Sequence, residues 1–330
     1  MHAVTRCLFD DLFYEARRLG ASDLHLAQDR IPAMRVDGML RPITAIPISE
    51  RALAELFGES AQWNAQTIPT IANVDVTTVL AEPSWGRTRL HWTQSRTGRT
   101  CSVRLLPGTC PDAKVLGVSQ RLCDLVHSSH GLLLIVGSTG SGKSTTLAAL
   151  LAVAAQARYR KIITLEEPVE FDLSHLPGSI EQRAIGKDVP SLNEGVFSAL
   201  RSDPDVIAIG EVRTAEDCNA LLRAAETGHL VLATMHAADA AASIDRMLRS
   251  FPGDEAGLAR TVLADVLLGV SAQKLVALPA GGRLLESELL LATDAVRAIV
   301  RDGKCYQLRN AMTLGGSSGM KRFVGTQSHE

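Results

Sequence analysis

The sequence predicts an α/β protein in two parts: a small α+β domain, then a larger domain built on a mostly parallel sheet. Three observations predict it. From about Gly117, short apolar strands alternate with helical stretches, the pattern that lays helices on the faces of a parallel sheet. A glycine-rich loop, Gly137 to Ser144, stands between one such strand and one such helix. Upstream, Leu106-Pro-Gly-Thr-Cys-Pro111 carries two prolines and a glycine where the pattern changes. The expected organisation is therefore a domain over 1–106, a linker over 107–116 and a second domain over 117–330.

In the first domain, Phe9, Leu12, Phe13, Ala16 and Leu19 fall at helical spacing and Gly20 stops the run. Ser22–Leu26 and Pro32–Val36 read as strands, followed by a hairpin-type turn at Asp37-Gly38. A helix is expected near Ser49–Phe57, then strands over Val74–Leu80, Thr88–Trp92 and Thr100–Leu106. In the second domain, strands are expected at Leu132–Val136, Lys161–Leu165, Asp205–Ile209 and His229–Thr234. Helices are expected from Lys143, over Ser191–Arg201 and Ala215–Glu226, then over Asp239–Arg249, Glu255–Val276 and Asp294–Arg301. Ser191 with Glu194 reads as a capping box, and Thr214 with Asp217 as a weaker one. The tail after Gly315 is polar and Gly/Ser-rich and reads as mobile.

Gly137-Ser138-Thr139-Gly140-Ser141-Gly142-Lys143-Ser144 fits the G-x-x-x-x-G-K-[ST] pattern in full, after an apolar strand and before a helix that continues with Thr145. Glycines let successive backbone N–H groups face one point, and the helix directs its positive end there. Lys143 suits the β- and γ-phosphates of a nucleotide, and Ser144 offers a hydroxyl to magnesium. ATP and Mg²⁺ are the cofactors this implies.

Hydrolysis also needs carboxylates near the metal and the attacking water. Two apolar stretches end in them: Ile162-Ile-Thr-Leu-Glu166-Glu167-Pro168 and Asp205-Val-Ile-Ala-Ile-Gly210-Glu211. Ligands collect at the carboxyl ends of parallel strands, so both should arrive beside the loop. Glu211 is then expected to hold the magnesium shell and Glu166 to position or deprotonate the attacking water, though the two roles could be exchanged. His229 and His236 bracket a short strand, seven residues apart, which is poor geometry for one metal site. The two histidines read either as core or capping residues or, for His236 together with Thr234 at the strand's carboxyl end, as sensors of a γ-phosphate. Arg87, Arg89, Arg96, Arg99 and Arg104 form either a solvated basic sheet face or a source of arginine fingers.

Composition bounds the alternatives. The chain has 330 residues, 46% hydrophobic and 21% charged, with a net charge of −2. Near-neutral charge and only 4% aromatics weigh against a nucleic-acid-moving protein, and no direct nucleic-acid partner is expected. The six cysteines form no Cys-x-x-Cys pair, so a structural zinc is not expected and reduced thiols of a cytoplasmic protein are. No signal peptide and no apolar run near the length of a membrane span is visible.

Six ordered segments together resemble the type II/type IV secretion ATPases, and within them the twitching-motility (PilT) pilus-retraction subfamily. They are Ala21-Ser-Asp-Leu-His-Leu26, the loop with its Ser-Thr-Thr extension, Thr164-Leu-Glu-Glu-Pro-Val-Glu-Phe171, Ala199-Leu-Arg-Ser-Asp-Pro-Asp205, Gly210-Glu-Val-Arg213 and Ala224-Ala-Glu-Thr-Gly-His229. The resemblance implies a PAS-like N-terminal domain, a RecA-like ATPase domain and a homo-hexameric ring. It implies that Glu166 and Glu167 form an Asp box, that Glu211 belongs to an atypical Walker B, and that His229 and His236 belong to a His box. Arg104, with Arg89 and Arg96 as weaker candidates, is implied to contact nucleotide. It further implies an inner-membrane platform protein as partner, at the cytoplasmic face of that membrane, and retraction of type IV pili as the work done. Asp294-Ala-Val-Arg-Ala-Ile-Val-Arg301 is similar to a signature of retraction motors, with Val296 and Ala298 in place of its Ile and Asn. The four-cysteine zinc motif usual in assembly motors is not visible. A type IVB secretion or conjugative-transfer ATPase is the alternative, and a DNA-remodelling RecA-like ATPase a more distant one.

Overall fold

The computed structural model has two compact units, Met1–Gly108 and Thr109–Glu330, each with its own sheet. It describes residues 3–60, 75–106, 108–278 and 282–323. Val74, Pro107 and the end of the polar tail, all included in expectations above, lie outside them.

The first unit is an antiparallel sheet with two helices. Its strands are β1 (Asp23–Ala27), β2 (Ala33–Val36), β3 (Met39–Pro42), β4 (Asp75–Glu82), β5 (Gly86–Ser95) and β6 (Gly98–Leu105), in the order β3-β2-β1-β6-β5-β4. Alternation of buried and part-exposed residues along β1 and β5 turns one face inward. Onto that core α1 (Ala3–Arg18) lays Phe9, Leu12, Phe13 and Ala16, against Leu24, Leu26, Leu90 and Val103. Trp85 stacks on Phe13 with ring centroids 4.7 Å apart, and its indole N–H donates to Asp10. Full burial of each large apolar side chain contributes about 1.5–3 kcal/mol. The helix begins at Ala3, well before the predicted Phe9, because Val4 and Cys7 of its first turns are exposed and lie off the buried stripe that the apolar spacing marks. The second helix is α2 (Glu50–Ser60). Asp37 and Gly38 both have positive φ, 50° and 82°, which makes the predicted β2–β3 turn a two-residue hairpin loop.

The second unit carries a seven-stranded sheet. After α3 (Gln120–Leu125) come β7 (Gly131–Val136), α4 (Lys143–Ala157), β8 (Lys161–Glu166), β9 (Ser179–Ala184), α5 (Leu192–Leu200), β10 (Val206–Val212), α6 (Ala215–Glu226) and β11 (Leu230–Met235). Then follow α7 (Ala240–Arg249), α8 (Ala256–Val266), β12 (Leu267–Ala277), β13 (Arg283–Leu291), α9 (Asp294–Arg301) and α10 (Leu308–Leu314). The order is β13-β12-β7-β11-β10-β8-β9, and every pairing but β12–β13 is parallel. Helices cover both faces, so β7 and β11 are buried at every residue and read as continuous apolar runs.

Three expectations are corrected here. Glu255–Val276 is not one helix: α8 ends at Val266, and the chain turns directly into β12, which pairs with β7. Gly269 fits there because a Cβ on it would come within 2.8 Å of Leu290 O on β13. The tail after Gly315 is docked as far as Phe323. Leu289 and Lys321 pair as a β-bridge, and the buried Glu288 carboxylate accepts from the amides of Ala240 and Phe323. The two capping boxes trade rank. Thr214 and Asp217 bond reciprocally at the start of α6, whereas at α5 the structure gives the Ser191 half of the box alone.

The retraction-like segment forms α9. Val296 and Val300 are buried, and Arg297 donates to the carbonyls of Ala264 and Asp265 at the end of α8. Arg301 pairs with Asp265 at 2.8 Å. In this chain, two arginines of the segment therefore close the C-terminus of its neighbour helix.

Candidate functional site

The phosphate loop is shaped by its neighbours as much as by its own sequence. β7 delivers it at the carboxyl edge of the sheet, and α4 begins at Lys143 with no side-chain cap on Gly142. Unclaimed N–H groups of that first turn, with the helix dipole behind them, form an anion cradle. Gly142 sits at φ +87°, a conformation open to glycine. Gly137 is required for space: a Cβ there would lie 2.4 Å from Gln273 O and 2.5 Å from Ser141 Oγ. Ser138, Thr139 and Gly140 are exposed at the tip, while Ser144 and Thr145 stand half-buried on the first turn of α4.

Gln273 is a site residue that sequence reasoning missed. Its side chain, 2% exposed, donates from Nε2 to Ser141 O at 2.8 Å and so clamps the loop to β12. The only signal for it was a polar residue inside an apolar run, and that run was read as a helix.

Lys143 is buried, and its ammonium donates to the carbonyls of Gly137 at 3.0 Å and Ser138 at 2.9 Å. Burial lowers its pKa from the ordinary lysine value, and the negative charges of Glu211 and Glu170 pull it back up. His236, just past β11, lies with Nδ1 3.3 Å from Lys143 Nζ and Nε2 2.5 Å from Glu211 Oε1. With its hydrogen on Nε2 the ring donates to Glu211 and Nδ1 accepts from the ammonium; with a hydrogen on Nδ1 it donates instead to Gly137 O at 3.3 Å. Arg246 of α7 fixes the same residue by donating to His236 O at 2.7 Å.

Glu211 reaches this position through a bulge. Ile209 pairs with Ala233 but Val212 pairs with Met235, so β10 carries one extra residue opposite Thr234. Such a bulge re-aims side chains beside it. Thr234 Oγ1 donates to Gly210 O and pins the bulge. Gly210 packs against β8, where a Cβ on it would be 3.2 Å from the Cα of Glu166. Arg213 bridges two carboxylates, Glu211 at 2.6 Å and Glu167 at 2.9 Å.

Glu166 ends β8 and is mostly buried. It accepts from Thr164 Oγ1 at 2.6 Å, Gln182 Nε2 at 3.3 Å and the amide of Glu170 at 3.3 Å. Burial raises its pKa above the ordinary glutamate value, and those three donors hold it partly down. The Glu167–Pro168 peptide that follows is cis.

The structure thus brings Gly137–Ser144, Lys143, His236 and Glu211 into one bonded group, with Glu166 across Gly210 from it. It does not bring His229 there. His229 precedes β11 at the amino edge of the sheet, its ring against Thr227 Oγ1 at 3.0 Å and Ala224 O at 3.3 Å. The strand between the two histidines separates them by roughly 20 Å. Within this chain His229 closes the end of α6. Arg104, Arg89 and Arg96 belong to the first unit. Arg104 pairs with Asp23 at 3.0 Å, Arg89 is its cross-strand neighbour on β5, and Arg96 is exposed in the β5–β6 turn. Among the described residues, no three His, Cys, Asp or Glu side chains gather as a metal cluster, and no helix is long and apolar enough to cross a membrane.

A phosphate cradle at the strand edge, with its lysine, two strand-end acids and a RecA-like sheet, defines a P-loop ATPase. The chain belongs to the type II/IV secretion system protein family, whose model matches residues 1–312. Among its relatives, the type IV pilus retraction ATPase PilT of Pseudomonas aeruginosa is 34% identical over 94% of this chain and 90% of its own. The uncharacterised protein YggR of Escherichia coli is 39% identical over 93% of each chain. Among solved structures, the pilus retraction motor PilT with bound ADP superposes with a TM-score of 0.82 at 34% identity, covering 92% of this chain and 89% of that one.

Proposed function

We propose that this ATPase works as a homo-hexameric motor that powers retraction of type IV pili, acting on an inner-membrane platform protein from the cytoplasmic side. The observation that carries the reading is the convergence of Lys143, His236 and Glu211 at the mouth of the phosphate loop. Likeness to PilT over nearly the whole chain supplies the kind of work.

In the proposed site the amides of Gly137–Thr145 and the Lys143 ammonium bind the β- and γ-phosphates. Ser144 and Glu211 would hold magnesium, which would supply positive charge against the negative charge gathering on the transferred phosphoryl group. The donor chemistry fits such an ion: one hydroxyl on the first turn of the helix and one carboxylate, whose oxygens His236 and Arg213 hold and would share with it. Glu166 orients the attacking water and takes its proton. His236 touches both Lys143 and Glu211, so it is placed to report the state of the γ-phosphate. Arg104, with Arg89 and Arg96, is the proposed source of positive charge at a neighbouring subunit's nucleotide.

Deleting the gene in its native host, with a Lys143→Ala copy as control complement, tests the reading. More surface pili with lost twitching, restored by the wild-type gene and not by the mutant, is the expected result. Unchanged pili with lost protein secretion or conjugative transfer would overturn retraction and keep the motor. Light scattering of the purified protein with ATP tests the ring, which a monomer under all conditions would exclude.

A further inference from the structure

The edge strand β9 carries a glutamine that the reactions above leave unused. Gln182 is the register partner of Thr164 on β8, so the two side chains share a face with Glu166, two residues beyond Thr164. All of its amide is engaged. Nε2 donates to Glu166 Oε1 at 3.3 Å and to Phe171 O at 2.9 Å, and Oε1 accepts from the amide of Leu173 at 2.8 Å.

We propose that Gln182 is the positioning residue of Glu166: one amide grips the carboxylate and, at two points, the loop that follows it, fixing where that carboxylate points. This rests on the reading that Glu166 serves the attacking water. Thr164 alone would hold one oxygen of the carboxylate and leave its torsion free. Gln182 adds a second donor to that same oxygen from a different strand, and it prevents the 167–173 loop from drawing the Glu170 amide off the other oxygen.

The arrangement also bears on protonation. Donors to the ionised form favour it, while burial and the charge of Glu170 oppose it. The charged groups on the chain and elements beside Glu166 have partners of their own: Glu167, next in the chain, pairs with Arg213. Glu211 and Arg213 of the β10 end bond each other, Arg183 of β9 bonds Glu181 and the hydroxyls of Ser198 and Ser202, and Lys143 of α4 bonds loop carbonyls. Removing the Gln182 donor therefore raises the pH needed to ionise Glu166.

The test is the pH dependence of ATP turnover by the full-length protein carrying Gln182→Met, which keeps the length of the side chain and removes its donor. The acid limb of kcat should move up by about one pH unit, the size of one lost bond to a charged group. Activity should recover toward wild type at alkaline pH, with affinity for a fluorescent ADP analogue unchanged within about twofold. An unmoved acid limb, or a loss that is equal at every pH or accompanied by lost ADP affinity, would overturn the proposal and make Gln182 a residue of structure alone. Glu166→Gln, measured alongside, separates the two levels. If it turns over at the wild-type rate, the role given to Glu166 fails and this inference with it. If it is inactive while Gln182→Met is indistinguishable from wild type, only the inference fails.

Discussion

Substituting Gly137 by alanine tests the claim that β12 shapes the phosphate loop. The new methyl carbon would stand 2.4 Å from the carbonyl oxygen of Gln273 and 2.5 Å from the hydroxyl of Ser141. The serine can rotate away. The carbonyl belongs to β12, one residue past its last pair with β7 and opposite Ser287 on β13, so it moves only if that strand moves. Overpacking of this kind costs about 1–3 kcal/mol, and a backbone partner puts it in the upper half of the range. The loop escapes by relaxing out of the cradle, and nucleotide must then restore it. The cost is therefore read as affinity, about 30- to 150-fold weaker for 2–3 kcal/mol. Gly140→Ala is the internal control. Its φ is +76° but nothing lies within 4 Å of its Cβ, so the penalty is conformational alone, about 1 kcal/mol or fivefold. Anisotropy titration of a fluorescent ADP analogue, with thermal melts in parallel, measures both. Gly137→Ala binding within threefold of wild type, or Gly140→Ala as the weaker of the two, would refute the reasoning.

Other outcomes follow from the same geometry. Glu211→Gln should bind the ADP analogue normally while turnover falls at least about 100-fold, the scale of a lost acid–base or metal-shell contribution; wild-type phosphate release would contradict its placement. Burial raises the Glu166 pKa in the folded protein, so its contribution to stability is fully present below the unfolded value and is lost as pH rises through the folded one. Glu166→Gln should accordingly melt higher than wild type at pH 8, the gain vanishing toward pH 4, as differential scanning fluorimetry would show; a gain that grows on acidification would reverse the sign. Thr214→Ala removes one half of the α6 capping box and should cost about 1 kcal/mol, a fall of about 2–4 °C in melting temperature, with ADP affinity unchanged.

How much was legible in the sequence depended on how many physical demands met at one position. The phosphate loop was fully legible, since backbone amides, a lysine and a hydroxyl must stand at fixed offsets between strand and helix. The strands β7, β8, β10 and β11 were legible as apolar runs because both faces of the sheet are covered. Glu166 and Glu211 were legible as strand-end acids. The bulge that aims Glu211 was not, because it exists only in the register between Ile209 and Val212 and their partners. Leu267–Ala277 was misread because an apolar run carries no period of its own, and Gly269 was the one local sign against a helix. β9 escaped notice because it alternates Ile180 and charged or polar residues at a sheet edge, without a buried face to mark it. His229 was drawn to the site by resemblance alone, and the strand it precedes carries it to the far edge.

The bridge between Leu289 and Lys321 turns the stretch that contains α9 and α10 into a closed excursion, tied at both ends to a single strand. Ring closure of this kind removes most of the independent freedom of the helices inside it. They are placed to open and close as a single cooperative segment, and native-state hydrogen exchange would see their amides released together once the bridge and the packing of Val296, Val300, Leu308 and Met312 on the core give way. For anyone fusing a reporter or tag beyond Phe323, the practical meaning is that the attachment point is stitched into the edge of the catalytic sheet, so pulling there pulls on β13.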